Sequence, residues 1–172
     1  MAFYEELETI LNRAVAMLLQ NQNICKLVSY YSDNVDYRYD PLSQPDITNP
    51  QDLLMKHIFP LPKTPDADTD QDCLISVCLQ GGDEITTNTG FREVYIVFDV
   101  ICHLDCWMIK GGYRPLAIMH EIDSMFNDQV LKDMPSVSRP YAKHFNVQQY
   151  SDRFFGFQLA YSIDVNSNIG CG

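Results

Sequence analysis

Positive charge is scarce in this sequence: 12 lysines and arginines stand against 23 aspartates and glutamates, giving a formal charge of -11 and a sequence pI near 4.5. That balance opposes adhesion to nucleic acid or to an anionic membrane, because both require cationic partners in number. It is compatible with a surface past which DNA slides without sticking. Also missing is any segment of about 18 uncharged apolar residues, the length a membrane-spanning helix needs. The opening MAFYEELE has neither the basic start nor the apolar stretch of a secretory signal, so a soluble protein made in the cytoplasm is expected. No internal repeat, low-complexity tract or second domain is discernible, and 172 residues suffice for one domain with its own core.

Several chemical signatures are absent as well. No C-x-x-C pair occurs among Cys25, Cys73, Cys78, Cys102, Cys106 and Cys171, which are scattered through a chain large enough not to need disulfide staples. Buried free thiols are expected, with Cys73, Cys78 and Cys102 inside apolar strand-like runs. His120 and Glu121 lack the second histidine of H-E-x-x-H, and Gly81-Gly82 lacks the context of a phosphate-binding loop. His103, Asp105, Cys106 and Cys102 lie close in sequence, yet in an extended chain the two cysteines are about 13 Å apart at roughly 3.3 Å per residue, too far for one tetrahedral ion. No metal site and no cofactor is expected.

What is present is periodicity. Phe3, Leu7, Ile10, Leu11, Ala14, Val15 and Leu18 recur at helical spacing and predict a helix over Phe3 to Gln20, with Glu5, Glu6 and Glu8 in its early turns. Ile24 to Tyr31 fits a short helix or a strand equally well. Six prolines between Asp33 and Asp72 predict an irregular, surface-running segment, with an apolar piece at Leu53 to Leu61 tucked against a body. Forty structureless residues would be long for a compact domain, so part of this segment must pack on its own domain or on a neighbouring chain.

CLISVCLQ, residues 73–80, reads as a buried strand, GGDEITTNTG as a polar loop, and REVYIVFDVICHLD as a long second strand of one antiparallel hairpin. A helix is predicted from Arg114-Pro115, striped by Leu116, Ile118, Met119, Ile122, Met125 and Phe126, and serving to cover a sheet. HFNVQQY gives a shorter strand-like piece. In FGFQLAYSIDVNS, residues 155–167, Phe155, Phe157, Leu159, Tyr161, Ile163 and Val165 make a core face, and Gly156, Gln158, Ala160, Ser162 and Asp164 make another. The expected class is α+β: an antiparallel sheet with an N-terminal helix and a second helix packed on one face.

Asp99, in the middle of an apolar strand, reads either as a catalytic acid or, preferably, as a residue of an outward sheet face or the partner of an arginine such as Arg92, Arg114 or Arg153. Trp107 fits a rim or interface anchor as well as a core role.

The element order, with REVYIVFDVICHLDCW followed by GGYRPLAIMHEIDSMFN and with RFFGFQLAYSIDVNS at the end, resembles the tail terminator proteins of long-tailed bacteriophages, and related neck proteins share much of the plan. The resemblance implies a virion protein of tail or neck, assembled in the host bacterial cytoplasm, that forms a homo-oligomeric ring, commonly a hexamer. Such a ring caps the tail tube, joins it to the head connector, and lets DNA pass through its bore; it supplies no catalytic residue. On this reading Asp83, Glu84, Thr86, Thr87 and Asn88 of the hairpin tip and Gln158, Ser162 and Asp164 of the last strand face a neighbouring subunit or the lumen. The alternatives are a head-to-tail adaptor one ring higher, a small enzyme with Cys106 or Cys102 as nucleophile beside His103, and a host-factor binding module using the acidic PDADTDQD stretch.

Overall fold

The computed structural model describes residues 3–32, 36–65, 72–84, 90–129 and 139–166. Helix α1 (Phe3–Gln20) has the predicted bounds and buries Ile10, Ala14, Val15, Leu18 and Leu19. Asn21 then caps helix α2 (Gln22–Ser29), its side chain accepting from the N–H of Ile24 at 3.1 Å. This cap resolves the ambiguity of the Ile24 region in favour of a helix, which buries Ile24, Cys25, Leu27 and Val28.

The proline-rich segment forms two 3-10 turns, Pro41–Ser43 and Pro50–Leu53, before a two-residue strand β1 (Ile58–Phe59). Leu53, Ile58 and Phe59 are buried, so the apolar piece packs on its own domain. Strand β2 (Cys73–Glu84) follows, running four residues beyond CLISVCLQ with an irregular register between Gly81 and Glu84. Strand β3 (Phe91–His103) pairs with it antiparallel as predicted. A 3-10 turn at Leu104–Cys106 leads to a minor ribbon, β4 (Met108–Ile109) with β5 (Gly112–Tyr113), and then to helix α3 (Arg114–Phe126). Strands β6 (Tyr141–Gln149) and β7 (Phe154–Asn166) complete the sheet.

The main sheet has the order β1-β2-β3-β7-β6, antiparallel throughout except for the short parallel pairing of β1 with β2. The class is therefore α+β, with all three helices on one face. Their core is continuous with Ile75, Val77, Val94, Ile96, Phe98, Val100, Leu159, Tyr161 and Ile163. Its centre is aromatic: Phe98 and Phe126 lie 4.8 Å apart by ring centroids, and Tyr161 sits 6.0 Å from each. Tyr161 donates its hydroxyl to Asp123 on α3 at 2.9 Å, so the ring is buried while its polar end is satisfied. The α3 stripe holds at Ile118, Met119, Ile122 and Phe126, but Leu116 points outward at 42% exposure, and Pro115 and Arg114 are buried in its place.

The opposite face carries no described helix, although Val97, Ala160 and Ser162 are buried on it, and its second core lies at one end. Phe59, Leu74, Ile101 and Phe154 form that small core, with Tyr150 against it.

Candidate assembly interface

Strand β7 delivers Gln158, Ser162 and Asp164 to the sheet face away from the helices, as its alternation predicts, and the neighbouring strands take up their polar groups. Ser162 is fully buried, and its hydroxyl donates to Glu93 Oε1 at 2.6 Å. The Tyr95 hydroxyl donates to Glu93 Oε2 at 2.8 Å, and the Lys143 ammonium of β6 lies 3.4 Å from the same carboxylate. Further along, Gln158 Nε2 and the Tyr150 hydroxyl donate to Asp99 Oδ1 at 2.8 and 3.2 Å. Asp99 is thus a half-buried acceptor on the outward face. Its partners are an amide and a phenol, so of the two favoured readings the outward face holds and the pairing with an arginine does not: Arg92 lies over the Phe3 ring, and Arg114 is buried on the helical side.

These contacts set opposite electrostatics on adjacent carboxylates. The Ser162 hydroxyl first, then Tyr95 and Lys143, hold the Glu93 carboxyl below its ordinary 4.5, whereas desolvation and then the Glu93 charge raise Asp164 above 3.8. Glu93 therefore contributes stability above pH 4.5 that is lost as pH falls through its folded value. Asp164 has the reverse sign: its ionised form opposes folding at neutral pH, and the penalty disappears as pH falls below 3.8. Asp164→Asn is expected to raise the urea midpoint at neutral pH and to leave it unchanged near pH about 3, while Glu93→Gln lowers it at neutral pH only. Midpoints of the two variants and the parent at both pH values check this.

Asp83 and Glu84 are the last two residues of strand β2, two strands away, where Glu84 registers with Arg92. Thr86, Thr87 and Asn88 lie outside the described residues. The structure thus gathers Gln158, Ser162 and Asp164 on one face and puts the backbone of Asp83 and Glu84 at the far edge of the same sheet.

Sequence reading passed over the main surface feature, strand β6. It forms one edge of the sheet and is exposed along nearly its whole length. Phe145 is 56% exposed and Val147 70%. Phe145 stacks on Phe157 at 5.3 Å, and Phe157 lies 5.9 Å from Trp107, so an aromatic strip runs out of the core to an edge that no described strand covers. Trp107 is the half-buried base of that strip. The signal was present in HFNVQQY, where Phe145 and Val147 alternate with polar residues, but a sequence does not reveal that β6 is the last of the described strands.

The thiols are disposed otherwise than a nucleophile requires. Cys102 faces the helical core, while His103, next in the strand, faces the other way, edge-on to Phe154 at 5.0 Å. The chain turns after His103, so the separation expected for an extended Cys102 and Cys106 does not hold. Cys106 donates to the His103 carbonyl at 3.3 Å. Burial pushes Cys106 up to about 12 and Cys102 well above its usual value, opposite to the activation of a thiolate. Among the described residues no cluster of three histidine, cysteine or acidic side chains is arranged to hold a metal ion, and Cys25, Cys73, Cys78, Cys102 and Cys106 are free thiols. No described helix is long and apolar enough to cross a membrane.

The family model described as YomW matches residues 21–163, a span from the Asn21 cap through nearly all of β7. The chain belongs to the YomW family. That name is phage-derived, in keeping with a phage protein, and is not specific to tail terminators. The YomW match takes in the whole hairpin, α2, α3 and the exposed β6, and leaves helix α1 before it. No curated protein and no solved structure matches the chain.

Proposed function

We propose that this YomW-family chain is a structural virion protein that acts by assembly, forming a homo-oligomeric ring that caps the tail tube and joins it to the head connector. The observation that carries the reading is the outer edge of β6, a nine-residue strand with no described strand on that side and with the Phe145 and Val147 side chains largely exposed. An exposed strand edge is a template for pairing with another chain, and monomeric proteins ordinarily blunt such edges with charge, proline or bulges; in β6 Lys143 and the irregularity between Ala142 and His144 do so near its start, while residues 145–149 have none of these. Acidity suits the rest: a net charge of -11 gives a bore wall that does not hold the DNA passing through it.

Mass measurement in solution tests this. The parent protein is expected to run as a closed oligomer, visible as a ring in negative stain, and to bind purified tail tubes. Val147→Lys is expected to give a monomer with an unchanged fold, because Val147 is largely exposed in the single chain and the added ammonium opposes edge pairing. A protein that stays monomeric at high concentration overturns the reading. A ring that binds portal complexes and not tail tubes moves it to the neck adaptor.

A further inference from the structure

The sheet has a second open edge. Strand β1 pairs only with Ile75 and Ser76, so beyond Ser76 no described strand flanks β2 on its outer side. Cys78 and Leu79 are half-buried there, and Gln80 and Gly81 are exposed. From this and the bare β6 edge we infer that the partner of β6 is the outer edge of β2 in a second copy of this chain, joined head to tail and antiparallel. The inference rests on the assembly reading above and specifies its contact.

Strand direction supports the join. Along β2, β3, β7 and β6 every neighbouring pair is antiparallel, so the two outer strands run in opposite directions. Rotating a copy about an axis roughly along the strands preserves their direction, and its β2 arrives beside β6 antiparallel, continuing the alternation across the subunit boundary. Because the two surfaces differ, the same rotation repeats and can close a ring. Pairing of β6 with β6 across a twofold axis stops at two copies.

Charge decides between these two joins. β6, YAKHFNVQQ, contains Lys143 and His144 near its start and no acid, while β2, CLISVCLQGGDE, ends in Asp83 and Glu84 and contains no base. Antiparallel pairing sets the start of β6, where Lys143 and His144 stand, against the end of β2, where the sequence has Asp83 and Glu84, so a basic segment opposes an acidic one across the boundary. A twofold β6 join offers the same cations only neutral or basic neighbours, and complementarity of this kind selects partner and register.

Native Cys78 tests the contact. It shares a sheet face with His144, both belonging to the row through Val97 and Ala160. Single variants His144→Cys, Asn146→Cys and Gln148→Cys in the 172-residue chain, with Cys171→Ser to remove the one cysteine that lies outside the described residues, are oxidised mildly and run on a non-reducing gel. The join predicts that at least one variant gives a ladder of covalent multimers extending beyond the dimer, and that adding Cys78→Ser removes it. Dimers alone that survive Cys78→Ser identify twofold β6 pairing and overturn the inference while leaving assembly intact. Oligomers by mass with no cross-link in any variant overturn it too. A monomer by mass is the failure of the assembly reading itself, and removes this inference with it.

Discussion

Arg114→Ala is expected to destabilise the fold by about 4 kcal/mol, a large part of the roughly 5–15 kcal/mol typical of a domain. Arg114 opens helix α3, yet only 1% of it is exposed. Its Nε donates to the Cys106 carbonyl at 2.8 Å, one Nη donates to the Leu27 carbonyl, and the guanidinium lies 5.0 Å from the centroid of the Tyr31 ring. One side chain therefore ties the end of α2, the turn after β3 and the start of α3 to each other. Truncation orphans two buried carbonyls, at about 1–3 kcal/mol each, and leaves a cavity below the ring. Lysine brings a point charge where a planar fork is required, so Arg114→Lys is expected to recover only part of the loss. Urea unfolding at matched protein concentration reads both, the alanine midpoint falling by about 2 M for a typical slope. A shift equivalent to less than about 1 kcal/mol would mean that the carbonyls find other donors.

The neighbourhood of Arg114 shows where sequence reading stops. Asp72 Oδ1 accepts from the Cys73 N–H at 2.8 Å, lies 3.1 Å from His57 Nδ1, and receives the Tyr31 hydroxyl at 3.4 Å, while the Cys73 N–H also donates to the Tyr31 oxygen at 2.9 Å. These residues come from three stretches of chain, Arg114 from a fourth, and they carry no common spacing, so nothing in the string groups them. Asp72 even reads there as the end of a solvated acidic run. Burial of an arginine leaves no periodic trace either: the apolar stripe read from the sequence begins two residues after Arg114, at an exposed Leu116.

Periodicity reports which side of an element is apolar, and for that it served well. The α1 stripe, both hairpin strands and the alternation of β7 match the structure closely because each is a local repeat against one continuous core. It says nothing about what stands beyond the last strand. Thus Gln158 and Ser162 were legible as the second face of β7, but their tie to Asp99 and Glu93 depends on which strand lies alongside. The openness of β6 is a fact of topology: β6 follows α3 in sequence, yet among the described strands it pairs with β7 alone, at the rim of the sheet. The same limit hid the outer edge of β2, since a strand two residues long does not cover one of twelve.

Gly156→Ala is expected to cost about 3 kcal/mol, although it adds one methyl group to a strand. Gly156 stands opposite Ile101 at the junction of the two central strands. A Cβ there would lie 1.9 Å from the Val100 carbonyl oxygen, 2.9 Å from its carbon and 3.0 Å from Ile101 Cα. All three are backbone atoms, so no rotamer change relieves the overlap and β7 must move away from β3. In open backbone the same substitution gains about 0.4–1 kcal/mol by restricting the unfolded chain, which makes Gly112 a suitable control, because its added Cβ would meet nothing within 4 Å. The displacement does not stop at β7: Gln148 of β6 registers with Gly156, so the edge strand shifts with it. Gly156→Ala should therefore lower the urea midpoint by about 1.5 M and, at concentrations where the fold persists, also weaken oligomerisation. Gly112→Ala should do neither, and equal midpoints for the two variants would show that the β3–β7 contact has slack the geometry does not allow.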